Sequence, residues 1–163
     1  EYINRELGRI EKSSSASYLS EKYLDEIETN LSKFHRGLVS FQVVDYQVCN
    51  GGFLQLFYNE YMESLDETIC FFDDLKRDIV LDDFLDNIIK LFEKAIEIHT
   101  EYEEEIQMLD EFDEWYDDKV ELHVTSYSRD LSPLDSKYYA VNETLWESLN
   151  LLAKYRFEKQ SCF

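Results

Sequence analysis

The sequence predicts an all-α fold, and three observations lead to this expectation. The chain has 163 residues but only four Gly and one Pro, too few turn residues for a many-stranded sheet. Its apolar residues recur every three or four positions, which is the period of an amphipathic helix. Its hydrophobic content of 44% and aromatic content of 15% suffice for a sizeable core. We therefore expect a single compact multi-helix domain with about six to eight helices.

The N-terminal residues are expected to be less regular than the rest. Residues 13–17 read Ser-Ser-Ser-Ala-Ser, the only low-complexity run in the chain. We therefore predict a short N-terminal helix and a loop over residues 1–17, followed by a single helical domain over residues 18–163. The first stripe of this domain contains Tyr23, Leu24, Ile27, Leu31 and Phe34.

Local signals predict several further helix starts and one uncertain segment. Ser64 and Glu67 have the spacing of a capping box, and Ser132-Pro133 is typical of a helix start with proline at its first position. Apolar stripes run from Phe84 to Ile96 and from Leu145 to Tyr155. Residues 119–128 remain ambiguous, because their alternating apolar positions suit a short strand whereas the polar residues that follow could equally end a helix.

The negative charge of the chain is concentrated in one region. The net charge is −20, and residues 60–118 supply eighteen of these charges, with 22 acidic residues against four basic ones. Disordered acidic chains are poor in aromatic residues, whereas this chain has 12 Tyr, 11 Phe and 2 Trp. The sequence therefore indicates a folded protein whose acidic field is a surface for a partner.

Motifs for catalysis, metals or cofactors are not found in the sequence. The three histidines lack metal-ligand spacing, the acidic run from 110 to 118 has no glycine at which an EF-hand loop could turn, and Walker and dinucleotide fingerprints are missing. The three cysteines are widely spaced and are expected to be free thiols in a reducing compartment. We expect a non-enzymatic protein without a cofactor or metal, located in the cytoplasm.

One glycine pair forms a distinctive motif. Asn50-Gly51-Gly52-Phe53 lies between two apolar runs and most simply forms a helix-to-helix turn that requires a positive φ, although Gln55 and Asn59 could present amides to a ligand. The segment resembles the Asn-Gly-Gly-Phe-x-Gln-x-Phe-x-Asn signature of a bacterial family of small, acidic, all-helical proteins. Its signature positions here are Asn50, Gly51, Gly52, Phe53, Gln55, Phe57 and Asn59.

The resemblance has a functional implication as well as a structural one. The characterised member of that family is a DNA mimic, which binds a DNA-binding transcription factor in place of its operator. The resemblance extends from about residue 18 to residue 157, and it implies a helical fold for this chain. It also implies transcription regulation, by inhibition of DNA binding, as the activity to be tested.

Two acidic segments are the candidate partner-binding surface. If residues 101–118 formed one helix, their ten acids would span roughly 27 Å, or one charge per about 2.7 Å, against about 1.7 Å for duplex DNA. The first acidic segment, residues 73–86, would raise this density if it packed alongside the second, residues 101–118. Within the first segment, Asp78, Asp82 and Asp86 have the spacing of one helix face. The candidate residues are Asp73, Asp74, Asp78, Asp82, Asp83, Asp86, Glu101, Glu103, Glu104, Glu105, Asp110, Glu111, Asp113, Glu114, Asp117 and Asp118.

We therefore expect a DNA mimic that occupies the nucleic-acid-binding surface of a basic DNA-binding protein such as a transcription factor. The chain itself is expected to bind neither nucleic acid nor membrane, and to be a monomer or homodimer. Phe112, Trp115 and Tyr116 have the spacing of core residues, but an exposed one would be a candidate interface anchor. Three alternatives remain: an immunity protein that neutralises a basic toxin, a helical protein whose acidity serves only its solubility, or an enzyme with paired carboxylates, which would require a concave pocket and an acid with a raised pKa.

Overall fold

The computed structural model describes residues 33–78, 82–109 and 111–160 of the chain, and within these ranges all regular structure is helical. The elements are α1 (Lys33–Tyr58), α2 (Met62–Asp78), α3 (Asp82–Gln107), α4 (Tyr116–Tyr139) and α5 (Asn142–Gln160). The all-α class is thus confirmed, with five helices in the described ranges rather than six to eight. The helix and loop predicted for residues 1–17 lie outside these ranges, as does most of the first apolar stripe.

Aromatic side chains from different helices form the centre of the core. Phe41, Phe53, Phe72, Phe92 and Tyr138 are fully buried, and they come from α1, α2, α3 and α4. Their ring centroids lie 5.4–6.2 Å apart in the contacting pairs. Such pairs contribute about 0.5–1.5 kcal/mol each beyond the burial of their area. The aromatic core therefore fixes the mutual positions of these four helices.

Helices α3 and α4 form an antiparallel hairpin. His123 Nδ1 on α4 lies 2.9 Å from Glu105 Oε2 on α3, and the Tyr127 ring stacks on Tyr102 at 4.2 Å. The Tyr127 hydroxyl lies 2.9 Å from His99 Nδ1, so residue numbers rise along α4 as they fall along α3. Residues 108–115 connect the two helices.

The ambiguous segment 119–128 is helical and belongs to α4. Tyr127, Leu131, Leu134 and Tyr138 are its buried residues, and their spacing of four, three and four follows the helical period. Leu122 is 69% exposed, so the alternation that suggested a strand does not correspond to a buried face.

Two predicted helix starts are wrong. Ser64 lies inside α2, which begins at Met62 directly after a turn in which Glu60 adopts a positive φ of 62°. Pro133 lies inside α4 rather than at a helix start. A proline within a helix costs about 3 kcal/mol, but the buried stripe continues past Pro133 in phase, and packing of that stripe overrides the local signal.

Candidate functional site

The glycine pair of the signature produces a kink within α1. Gly52 has φ 74° and ψ −175°, whereas Gly51 has φ −162°, an extended value open to any residue. The kink divides α1 into a long N-terminal helix and a short C-terminal one. The predicted turn with a positive φ is therefore confirmed at Gly52.

Asp135 of α4 completes this kink from a distant part of the chain. Phe53 N–H donates to Asp135 Oδ1 at 2.8 Å, so a carboxylate caps the start of the second helical segment. A Cβ atom on Gly52 would lie 2.5 Å from Asp135 Oδ2, which shows how closely the backbone approaches the carboxylate. Burial raises the pKa of Asp135, and the bond from Phe53 partly opposes this shift. Asp135 carries no local motif, and the separation of 82 positions between the partners explains why the sequence did not reveal it.

The polar residues of the signature satisfy one another or the backbone. Gln55 Nε2 and Asn59 Nδ2 both donate to Gln47 Oε1, at 3.0 and 2.8 Å. Asn50 Nδ2 donates to the Tyr46 carbonyl at 2.6 Å. The two signature phenylalanines, Phe53 and Phe57, are buried in the core. These contacts favour a structural role for the signature over the presentation of its amides to a ligand.

The first acidic segment is largely paired with lysines. Lys76 forms ion pairs with Asp73, at 3.3 Å, and with Asp86. Lys90 approaches Asp86 at 3.2 Å, and Lys33 pairs with Asp74. The hydrogen bond from Lys76, followed by that from Lys90, lowers the pKa of Asp86. Part of the negative charge of this segment is thus neutralised within the protein.

The predicted row of Asp78, Asp82 and Asp86 does not lie on one helix. Helix α2 ends at Asp78 and α3 begins at Asp82, so the regular spacing spans a break between helices. The side chains of Asp78 and Asp82 lie outside the described part, and Asp83 is exposed.

The second acidic segment forms the closed end of the α3–α4 hairpin. We call residues 101–127 the hairpin tip. By sequence the tip contains eleven acidic residues and a single lysine. Nine of the candidate residues in it have described positions, and apart from the partly exposed Asp113 all are exposed: Glu101, Glu103, Glu104, Glu105, Glu111, Asp113, Glu114, Asp117 and Asp118. Asp110 lies outside the described residues.

The two acidic segments lie at opposite ends of α3. Asp86 and Glu103 are seventeen residues apart on this helix, or roughly 26 Å at about 1.5 Å per residue. The packing of one segment alongside the other, which was the condition for DNA-like density, is therefore not what the structure shows. The candidate surface divides into a paired end and the hairpin tip.

Folding back of the chain brings acids of both α3 and α4 to the tip. The single helix considered for residues 101–118 is wrong, because α3 ends at Gln107 and α4 begins at Tyr116. The α4 part of the tip extends over eleven residue steps, roughly 17 Å at about 1.5 Å per residue, and the connection of residues 108–115 adds to this length. The helical parts of the tip carry seven acids and one lysine by sequence, so their net charge of −6 corresponds to one charge per about 2.8 Å, against about 1.7 Å for duplex DNA.

Asp113 organises the connection at the end of the tip. Its Oδ1 accepts from Trp115 N–H at 2.9 Å, and its Oδ2 accepts from Lys119 Nζ at 2.6 Å. Its carbonyl accepts from Tyr116 N–H at 3.0 Å. The bond from Lys119, followed by that from Trp115, lowers the pKa of Asp113. An aspartate that bonds the backbone two residues ahead competes with helix formation, which accounts for the non-helical turn directly before α4.

Large apolar side chains project from the same connection. Met108 is 83% exposed, Phe112 is 95% exposed and Trp115 is 61% exposed. Tyr116, by contrast, is partly buried. The exposure of Phe112 and Trp115 satisfies the condition set for an interface anchor within the acidic run.

These features define an acidic, all-helical protein with a carboxylate-rich hairpin at one end of the fold. The family described as DMP19-like protein matches residues 29–160. The chain belongs to this family, in agreement with the sequence resemblance to DNA-mimic proteins. No curated protein and no solved structure matches the chain.

Two features are not found among the described residues. None of their helices is both long and apolar enough to cross a membrane. Their His, Cys, Asp and Glu side chains form no group of three that could hold a metal ion.

Proposed function

We propose that this chain is a DNA mimic whose hairpin tip occupies the nucleic-acid-binding surface of a basic DNA-binding protein, such as a transcription factor. The observation that carries the proposal is the concentration of exposed carboxylates at the tip, which has a net charge of −10 by sequence over residues 101–127. Family membership supports the same function. Inhibition of DNA binding in a bacterial cytoplasm is the regulatory activity that this function implies.

The availability of the carboxylates supports the proposal as well. Within the described residues, no ion pair involves Glu104, Glu111 or Glu114, and all three are exposed. Asp117 and Asp118 stand in the first turn of α4, where the helix dipole stabilises negative charge. A basic groove can therefore contact these carboxylates without first breaking ion pairs of the described part.

The function that we propose is not enzymatic. A cavity of about 280 Å³ between α1 and α2 is lined by both basic and acidic side chains, among them Lys33, Arg36 and Glu67. Asp135, the carboxyl whose pKa is raised, does not line this cavity and instead caps the kink in α1. Catalysis by paired carboxylates would combine a cavity with an acid whose pKa is raised. In the described part, Asp135 and this cavity are separate.

The proposal can be tested with two variants of equal charge. The tip variant carries Glu104→Gln, Glu111→Gln and Glu114→Gln. The control variant carries Asp66→Asn, Glu93→Gln and Glu147→Gln, three exposed acids outside the tip. Both variants lose three negative charges, so a difference between them reports the position of the charge rather than its sum.

Partner capture should start from the source lysate at low salt, with elution by a salt gradient and identification by mass spectrometry. Each captured protein is then purified and bound to labelled duplex DNA. Release of the DNA is measured as increasing amounts of the chain are added, at several salt concentrations. We expect the wild-type chain and the control variant to release the duplex. The tip variant should release it more weakly and with a shallower dependence on salt.

Other outcomes would contradict the proposal. A dedicated toxin as the captured partner, with no release of duplex DNA, would make the chain an immunity protein. Equal weakening by the tip and control variants would make the net charge, rather than the tip, responsible. Lack of any salt-sensitive partner would leave the acidic field a role in solubility alone.

A further inference from the structure

We propose that Phe112 and Trp115 form an aromatic anchor that receives arginine side chains of the basic partner, an inference that rests on the proposed function. Phe112 is 95% exposed, and Trp115 is 61% exposed. The two residues are three positions apart, which limits their Cα atoms to a separation of about 11 Å. Single exposed apolar residues are common, but two large aromatic residues and Met108 are all exposed within one eight-residue connection, which concentrates apolar surface there.

The backbone that carries the anchor is fixed before any partner arrives. Asp113, between the two aromatic residues, accepts hydrogen bonds from Trp115 N–H at 2.9 Å and from Lys119 Nζ at 2.6 Å. These bonds hold the connection against the first turn of α4. The aromatic side chains themselves take no part in these bonds, so the exposed anchor is presented on an ordered turn. Such preorganisation reduces the ordering cost of binding.

Charge complementarity selects the occupant. Glu111 and Glu114 are exposed and lie next in sequence to Phe112 and Trp115, so a group that contacts the rings also meets carboxylates. A guanidinium group satisfies both, because it stacks on an aromatic face and forms paired hydrogen bonds with a carboxylate. A lysine ammonium is a strongly hydrated point charge and uses the rings less well. Arginine is also a principal phosphate ligand in DNA-binding proteins, and the tip offers it both charge and a flat surface.

Two labelled peptides of equal charge test this selectivity, a nona-arginine and a nona-lysine, each measured by fluorescence anisotropy. One cation–π contact corresponds to about two- to fivefold in affinity, so the two aromatic residues should together give nona-arginine an advantage of about four- to twenty-five-fold. We expect the Phe112→Ala/Trp115→Ala variant to lose this advantage while retaining its nona-lysine affinity. Trp115→Ala keeps the backbone N–H that donates a hydrogen bond to Asp113, so the turn is preserved.

Tyr58→Ala provides the matched control. Tyr58 is 85% exposed, and it lies at the end of α1 rather than on the tip. Its replacement should leave both affinities unchanged. An equal loss of nona-arginine affinity in Tyr58→Ala and in the double variant would overturn the anchor, because any exposed ring would then serve.

The remaining arms separate failure of the anchor from failure of the proposed function. If the tip variant loses affinity for both peptides but wild type does not prefer arginine, the anchor is refuted while the charge-based function stands. If the tip and control variants bind both peptides equally, the proposed function fails first. Acrylamide quenching of wild type against Trp115→Phe shows whether Trp115 is accessible. A protected Trp115, or a homodimer abolished by the double aromatic variant, assigns the patch to another occupant and overturns the anchor.

Discussion

Gly52→Ala should destabilise the fold by about 2–5 kcal/mol. The backbone of Gly52, at φ 74° and ψ −175°, lies in a region that only glycine adopts readily, and another residue there costs about 1–3 kcal/mol. The added Cβ would also stand 2.5 Å from Asp135 Oδ2, so the carboxylate must withdraw. Phe53 N–H then loses the acceptor at 2.8 Å, and loss of such a cap costs about 1–2 kcal/mol.

A double-mutant cycle separates the two contributions. Asp135→Ala alone should cost about 1–2 kcal/mol through loss of the cap. In that background Gly52→Ala meets no carboxylate, so it should add only its backbone strain. The double variant is therefore expected to be less destabilised than the sum of the single variants, by about 1–2 kcal/mol.

Urea unfolding followed by far-ultraviolet circular dichroism measures all four members of the cycle. The midpoint should shift without a change in the slope of the unfolding free energy against urea. Asp130→Ala, at an exposed position on the same helix, is the control and should remain within about 0.5 kcal/mol of wild type. Strict additivity, or a Gly52→Ala variant as stable as wild type, would refute the proposed coupling.

Three further predictions concern individual side chains. Burial lowers the pKa of His99 below its ordinary 6.5, so the unfolded chain takes up a proton more readily than the folded one. The contribution of neutral His99 to the free energy of unfolding is therefore present above pH 6.5 and is lost as pH falls. The urea midpoint of His99→Gln should decrease less than that of wild type between about pH 7.5 and 5.5. Asp113→Ala should accelerate hydrogen exchange of the Trp115 amide with little effect on global unfolding, because it removes a cap on an exposed turn. Lys76→Met should raise the pKa of Asp86 toward 3.8 in an NMR titration, since the main hydrogen bond that lowers it is lost.

Features that depend on neighbours in sequence were predictable. The helical period of the stripes gave the all-α class, and the glycine pair gave the turn at which Gly52 has its positive φ. Charge counts located the acidic region as well. Each of these follows from residues within a few positions of one another.

Features that depend on distant contacts were not predictable. The cap from Asp135 joins residues that are 82 positions apart, and no local pattern marks it. Pro133 signals a helix start by itself, yet the stripe of α4 that packs on the core carries the helix past it. The helix expected over residues 101–118 ends at Gln107, and a side-chain bond from Asp113 stabilises the turn that precedes α4. Tertiary packing and side-chain competition therefore account for the errors.

The hairpin tip is held together by aromatic rings from three helices. Phe57 of α1 stacks on His99 of α3 at 4.2 Å with an interplanar angle of 5°, and Tyr102 of α3 stacks on Tyr127 of α4 at 4.2 Å and 7°. His99 and Tyr127 are themselves 5.9 Å apart between ring centroids and joined by the 2.9 Å contact between Nδ1 and the hydroxyl. This stack lies at the base of the tip, so its packing opposes the repulsion between the carboxylates that α3 and α4 carry beyond it.

The same carboxylates thus have opposite effects on the fold and on the proposed complex. Exposed like charges on neighbouring helix positions cost a few tenths of a kcal/mol per pair, and a basic partner relieves that repulsion when it binds. The tip variant should therefore unfold at slightly higher urea than wild type while it binds the partner more weakly. Acids that served only solubility would show the gain in stability without the loss of affinity. Opposite shifts in the two measurements, absent from the control variant, would indicate that the tip sacrifices stability for recognition.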